Sequence, residues 1–152
     1  MNFHMEALMK FLIPAAIAAV TLAAPGLAEG DAEAGKKVFG QCKACHAIAD
    51  PDGNVLVKGG RTGPNLYGVV GRASGAADFR YSKALISAGE NGLVWDEASV
   101  AAFAANPRGF LKDLGGDNKT KMTFKLRKGG ADVAAYLATF GAVAEEAETV
   151  SE

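Results

Sequence analysis

Both cysteines of the chain fall within one five-residue stretch, Cys42-Lys43-Ala44-Cys45-His46. Two thiols on one helical turn can each add across a vinyl group of a single porphyrin. The histidine that follows then lies beneath the ring and presents Nε2 to the iron. C-x-x-C-H therefore reads as a c-type haem attachment site. Two other readings compete. A thioredoxin-like redox pair sits within βαβ units, and no βαβ alternation is present. A structural zinc site takes four ligands, whereas this cluster offers three and no second cluster follows.

The N-terminus changes what the rest can supply. Lys10 precedes an apolar run from Phe11 to Ala24, and Gly26-Leu27-Ala28 places small residues where a signal peptidase inspects them. That pattern predicts a secretory signal over residues 1–28. The run is shorter than the roughly 20 residues that span a bilayer, and Pro14 and Pro25 also argue against an anchor. Met9-Lys10 makes a more ordinary start for such a signal than Met1. Once the signal is removed, His46 is the only histidine and Met122 the only methionine. The mature chain thus holds one candidate for each axial ligand of a low-spin electron-transfer haem.

Formal charge is −1 overall, yet residues 34–144 carry 15 basic and 9 acidic side chains, a net of +6. Acidic residues gather at the ends, in Glu29, Asp31 and Glu33 and in Glu145, Glu146, Glu148 and Glu152. A basic body suits docking to an acidic partner.

Asp31 is placed to cap a first helix running through Gln41 into the cysteine motif. Turns are expected from Asp50 to Gly60 around Val55-Leu56-Val57, followed by a loop to Gly68 and one helical turn ending near Gly71. Ser82 caps a short helix over 83–88 that Gly89 closes. Asp96 caps another, which Asn106-Pro107 stops, and Pro107 opens a further short helix that ends at Gly115-Gly116. Residues 117–128 form a lysine-rich loop carrying Met122. Val133, Tyr136, Leu137 and Phe140 mark one face of a last helix. The domain is expected over residues 29–141, all-α with long loops, and residues 142–152 as an acidic disordered tail. So many loop residues leave a small core, which a buried porphyrin would complete.

With Cys42–His46, Thr62-Gly63-Pro64-Asn65-Leu66, Trp95 and Lys119-Thr120-Lys121-Met122-Thr123-Phe124 in this order, residues 30–141 resemble class I c-type cytochromes. The likeness is closest to the larger soluble periplasmic members from proteobacteria. The resemblance implies the cytochrome c fold, four to five short helices wrapped around one covalently bound haem c. Cys42 and Cys45 then carry thioethers, and His46 and Met122 are the iron ligands. Pro64 supplies the carbonyl that accepts from His46 Nδ1. Arg72, Tyr81 and Trp95 match positions that hydrogen-bond or neutralise a buried propionate. Gly35, Phe39 and Tyr136 match the crossing of first and last helices. Phe103 stands where many relatives have a tyrosine whose hydroxyl reaches the methionine sulfur, and Phe110–Lys119 is longer than in short members.

These features predict a periplasmic mono-haem electron carrier, monomeric and not membrane-spanning, with no catalytic residues and no nucleic-acid partner. A quinol–cytochrome c oxidoreductase is the expected donor. A terminal oxidase, photosynthetic reaction centre or periplasmic reductase is the expected acceptor. Lys36, Lys37, Lys43, Lys58, Lys119, Lys121, Lys125 and Lys128 flank the two ligand loops, and several are expected to ring the haem edge. The rivals are a haem sensor or small haem enzyme with an open iron position, and a haem-free thiol–disulfide protein.

Overall fold

The Asp31 carboxylate accepts hydrogen bonds from the backbone N–H groups of Glu33 and Ala34, and this starts helix α1, Ala32–Val38. A 3-10 turn, Phe39–Gln41, continues α1 directly into Cys42. The computed structural model describes residues 29–141. The expected signal segment and acidic tail lie outside the described residues.

Five α-helices follow the chain: α1, α2 (Lys83–Glu90), α3 (Glu97–Ala105), α4 (Pro107–Asp113) and α5 (Gly130–Ala138). Asp96 and Ser99 form a reciprocal capping box at the start of α3, and Pro107 takes the first position of α4. The expected helical turn before Gly71 is instead a pair of tight turns, with Val69 N–H donating to Leu66 and Arg72 N–H to Val69.

Two differences from the sequence reading have physical causes. The segment around Val55 is a strand: β1 (Ile48–Ala49) pairs antiparallel with β2 (Val55–Val57). The turn between them is tied by the Asp50 carboxylate, which accepts from both the backbone and the side-chain amide of Asn54. Helix α2 also runs past Gly89 to Glu90. A Cβ at Gly89 would collide with the Ser74 carbonyl, so this glycine permits close packing, and the helix stops at Asn91.

Helices α1 and α5 pack closely against each other, and α5 also packs on α3. At Gly35 a Cβ would overlap the Asp132 carbonyl, so the helices approach as closely as the sequence reading expected of Gly35, Phe39 and Tyr136. The Phe39 and Tyr136 rings meet at 5.6 Å between centroids, with Phe140 edge-on to Tyr136 at 5.1 Å. Phe39, Ile48, Leu126, Val133 and Leu137 are buried alongside. Val133 and Leu137 carry this apolar layer to the wall of the site.

Candidate functional site

The 3-10 turn after α1 carries the cysteine motif, and Cys45 and His46 N–H groups both donate back to the Cys42 carbonyl. The two thiols and the imidazole therefore leave one short turn. A glycine-rich loop closes over it. A Cβ at Gly59 would overlap the His46 carbonyl, at Gly60 the Ala44 carbonyl, and at Gly63 the His46 ring. Gly63 N–H donates to the Cys45 carbonyl at 2.9 Å and Gly60 N–H to that of Lys43 at 2.8 Å. That closure delivers Pro64, whose carbonyl lies 2.8 Å from His46 Nδ1. With Nδ1 committed as donor, Nε2 is the nitrogen left to take a metal. Burial lowers the His46 pKa, which the Pro64 contact opposes, and so favours the neutral imidazole that ligation requires.

The motif opens on a cavity of about 300 Å³ with mostly apolar walls. Cys42, Cys45, His46, Pro64, Arg72, Tyr81, Trp95 and Met122 all line it. The chain brings every one of these sequence-predicted residues to a single space. Further walls come from Phe79, Leu85, Val100, Phe103, Val133 and Leu137. Of these, the resemblance placed Phe103 beside the methionine, and the others were not placed on the site from sequence; for Val100, Val133 and Leu137 the apolar residues of α3 and α5 were the signal available.

Backbone pairing brings Arg72 and Trp95 together. Trp95 N–H donates to the Arg72 carbonyl at 2.9 Å, and Gly71 N–H to that of Trp95 at 2.7 Å. Trp95 then packs on Phe103 and Phe110, with centroids 5.3 and 5.7 Å away. The Arg72 guanidinium donates to the Tyr67 and Asn65 carbonyls at 3.0 and 3.2 Å, so its contacts are neutral dipoles. Burial depresses the Arg72 pKa, an effect Tyr81 opposes. Burial also pushes Tyr81 up, against the pull of Arg72. A half-buried cation beside a phenol, on the wall of a cavity that an indole also lines, is an environment that accepts an anionic group.

The Met122 loop is fastened at both sides. Lys121 Nζ donates to the Arg80 carbonyl, and Leu126 N–H donates to Ala104 of α3 at 2.8 Å. Thr120 Oγ1 accepts from Met122 N–H at 3.2 Å. The longer segment noted in sequence, Phe110–Lys119, begins as the end of α4 and is exposed over 112–119, turning at Gly115 with φ +79°.

Burial, with Cys45 adding to it, pushes the Cys42 thiol up to about 11, so it stays protonated at neutral pH. Among the described residues no group of three or more His, Cys, Asp and Glu side chains is arranged to hold a metal ion. The two thiols and the imidazole do not form a zinc-like cluster. Two sulfurs, one imidazole nitrogen, an apolar chamber and a cation with no acidic partner among the described residues fit a covalently held porphyrin with acidic substituents.

The cytochrome c family model matches residues 32–140. The chain belongs to the cytochrome c family. Its cofactor is haem c, joined covalently through a C-x-x-C-H motif, and Cys42–His46 is the one such motif in the sequence. Similar proteins include cytochrome c-551 of Roseobacter denitrificans, 56% identical over 119 residues that span 77% of this chain and 86% of that one. Cytochrome c2 of Rhodobacter capsulatus is 50% identical over 135 residues, 86% of this chain and 98% of its own. Among solved structures, that of the same Rhodobacter capsulatus cytochrome c2 superposes with a TM-score of 0.70 at 50% identity, over 72% of this chain and 97% of that one. Ferric cytochrome c-550 of Paracoccus versutus also gives 0.70, at 48% identity over 74% and 98%. No helix among the described residues of this cytochrome c is long and apolar enough to cross a membrane.

Proposed function

We propose that this cytochrome c is a periplasmic single-electron carrier with His46 and Met122 as its axial ligands. The observation that carries the reading is the meeting of the mature chain's single histidine and single methionine on the walls of one cavity, beside both cysteines. Haem c supplies an iron that alternates between Fe(II) and Fe(III). The chain's residues do the rest. Cys42 and Cys45 tether the cofactor through thioethers, and the Pro64 carbonyl orients the His46 ring and strengthens it as a donor. Met122 would be the second protein ligand, and a His/Met pair would raise the potential. Arg72, Tyr81 and Trp95 hold a propionate away from water. With His46 and Met122 both holding the iron, no position would be left for a substrate, and the protein would act as a carrier and not as an enzyme.

A quinol–cytochrome c oxidoreductase is the proposed donor, and a terminal oxidase, photosynthetic reaction centre or periplasmic reductase the proposed acceptor. Secretion through a cleaved signal over residues 1–28 places the carrier between them. Supporting this, the eight lysines that flank the ligand loops are all exposed. Lys121 lines the haem cavity, and Lys125, Arg127 and Lys128 border a shallow pocket sharing Gln41 and Phe124 with it.

Optical spectra of the purified holoprotein test the reading. A weak red ferric band from methionine sulfur on iron, with no ferrous response to carbon monoxide, is expected. A missing band with a carbon monoxide adduct would mean an open iron, and the sensor or enzyme reading would replace this one.

A further inference from the structure

Asn65 is exposed, yet its side chain makes three hydrogen bonds to main chain. Oδ1 accepts from Ala49 N–H at 3.0 Å and from Tyr67 N–H at 3.1 Å, while Nδ2 donates to the Ala49 carbonyl at 2.7 Å. The carboxamide thus pairs with both polar groups of residue 49, as a neighbouring strand would. Leu66 N–H adds a parallel tie to the Ala47 carbonyl at 3.1 Å. These ties link the Pro64 loop to the strand that leaves His46, so imidazole and acceptor are joined through a short backbone circuit.

Three carbonyls within that loop serve the site. Pro64 accepts from His46 at 2.8 Å, and Asn65 and Tyr67 accept from Arg72 at 3.2 and 3.0 Å. We propose that Asn65 is a positioning residue of the haem site, its side chain holding these three carbonyls where His46 and Arg72 need them. The proposal rests on the carrier reading, because it takes His46 to hold the iron. The simpler alternative is that Asn65 only steadies the β1–β2 hairpin.

The two roles separate by measurement on the holoprotein. In Asn65→Ala the Pro64 carbonyl is released, the His46 Nδ1–H bond weakens, and the imidazole becomes a poorer donor. Ferrous iron is then favoured, so the midpoint potential rises. Arg72 keeps its charge when its acceptors shift, so the larger change falls on His46. Exchange of the His46 Nδ1 proton with solvent, followed by NMR, should quicken by about tenfold, the equivalent of roughly one hydrogen bond. Asn65→Ser retains an acceptor for Tyr67 N–H but loses both bonds to Ala49, and should show a smaller rise and a smaller quickening. It is the variant to read if Asn65→Ala does not fold. Asn54→Ala removes the 2.8 Å side-chain bond to Asp50, loosening the hairpin turn while leaving the Asn65 clamp, and should move neither readout. A native potential and exchange rate in the Asn65 variants, or equal shifts in Asn54→Ala, would overturn the proposal. A native protein without the methionine–iron band would strike the carrier reading instead, so the two failures are distinguishable.

Discussion

Gly63→Ala is the sharpest test of how the loop seats the proximal histidine. The backbone at Gly63 has no positive φ, so alanine is conformationally acceptable there and any penalty is steric. An added Cβ would stand 2.7 Å from His46 Nδ1 and 2.8 Å from Nε2, where nonbonded contact is comfortable only from about 3.5 Å. His46 Cε1 would stand closer still, so ring or loop must retreat by about 1 Å to reach ordinary contact. That retreat stretches the 2.8 Å bond to Pro64 beyond useful range. Losing the bond costs about 1 kcal/mol, and overpacking a held ring costs about 1–3 kcal/mol. The entropy alanine removes from the unfolded chain returns about 0.4–1 kcal/mol. A net loss of about 1–3 kcal/mol corresponds to a melting point lower by roughly 5–20 °C for a domain this size. Circular dichroism melts of the ferric holoprotein would show it, accompanied by a weakened methionine–iron band. A variant melting at or above the native temperature would refute the idea that the loop needs a bare backbone against the imidazole.

Three further outcomes are expected. Gly35→Ala drives a Cβ into the Asp132 carbonyl; the clash of about 1–3 kcal/mol exceeds the helix-propensity gain of about 1 kcal/mol, so urea midpoints should fall, and a rise would contradict the close α1–α5 crossing. Hydrogen bonds from the Ser99 side chain and backbone hold the Asp96 carboxyl below its ordinary 3.8, so its stabilisation is present above that pH and disappears as pH falls through the depressed value. Asp96→Ala should therefore cost about 1 kcal/mol at pH 7 and progressively less in acid; a penalty independent of pH would argue against the carboxylate cap. Replacing Lys125 and Lys128 by Glu should slow electron transfer to an acidic partner at low salt, with the difference shrinking as ionic strength rises; equal rates in stopped-flow would remove these lysines from the docking face.

Where chemistry depends on rare residue types, the site was readable from the sequence. Residues 29–141 hold two cysteines, one histidine and one methionine, which leaves few ways to build a haem site, and all four reach the same cavity. Helix starts were readable too, because Asp31, Ser82 and Asp96 cap through their own side chains. What escaped the sequence depends on partners distant in the chain. Gly89 looked like a helix stop because the Ser74 carbonyl it accommodates is not local. The β1–β2 pair is too short to alternate visibly, being held by the Asp50–Asn54 turn. The Asn65 side chain bonds only to backbone groups, which leave no mark on residue identity.

The brevity of that hairpin bears on behaviour at high concentration. Val55 and Leu56 stand 53% and 49% exposed, the kind of side chains that make a free strand edge adhesive. A long flat ribbon carrying them would template the addition of further copies, edge to edge, toward fibres. Here the ladder pairs two residues with three, and an irregularity lies between Ile48 and Ala49. Pro51 sits in the connecting turn, and the charged Lys58 follows β2 directly. An incoming strand finds too few aligned N–H and C=O groups to grip, so colloidal dispersal is built into the same short segment that carries the clamp for the haem loop.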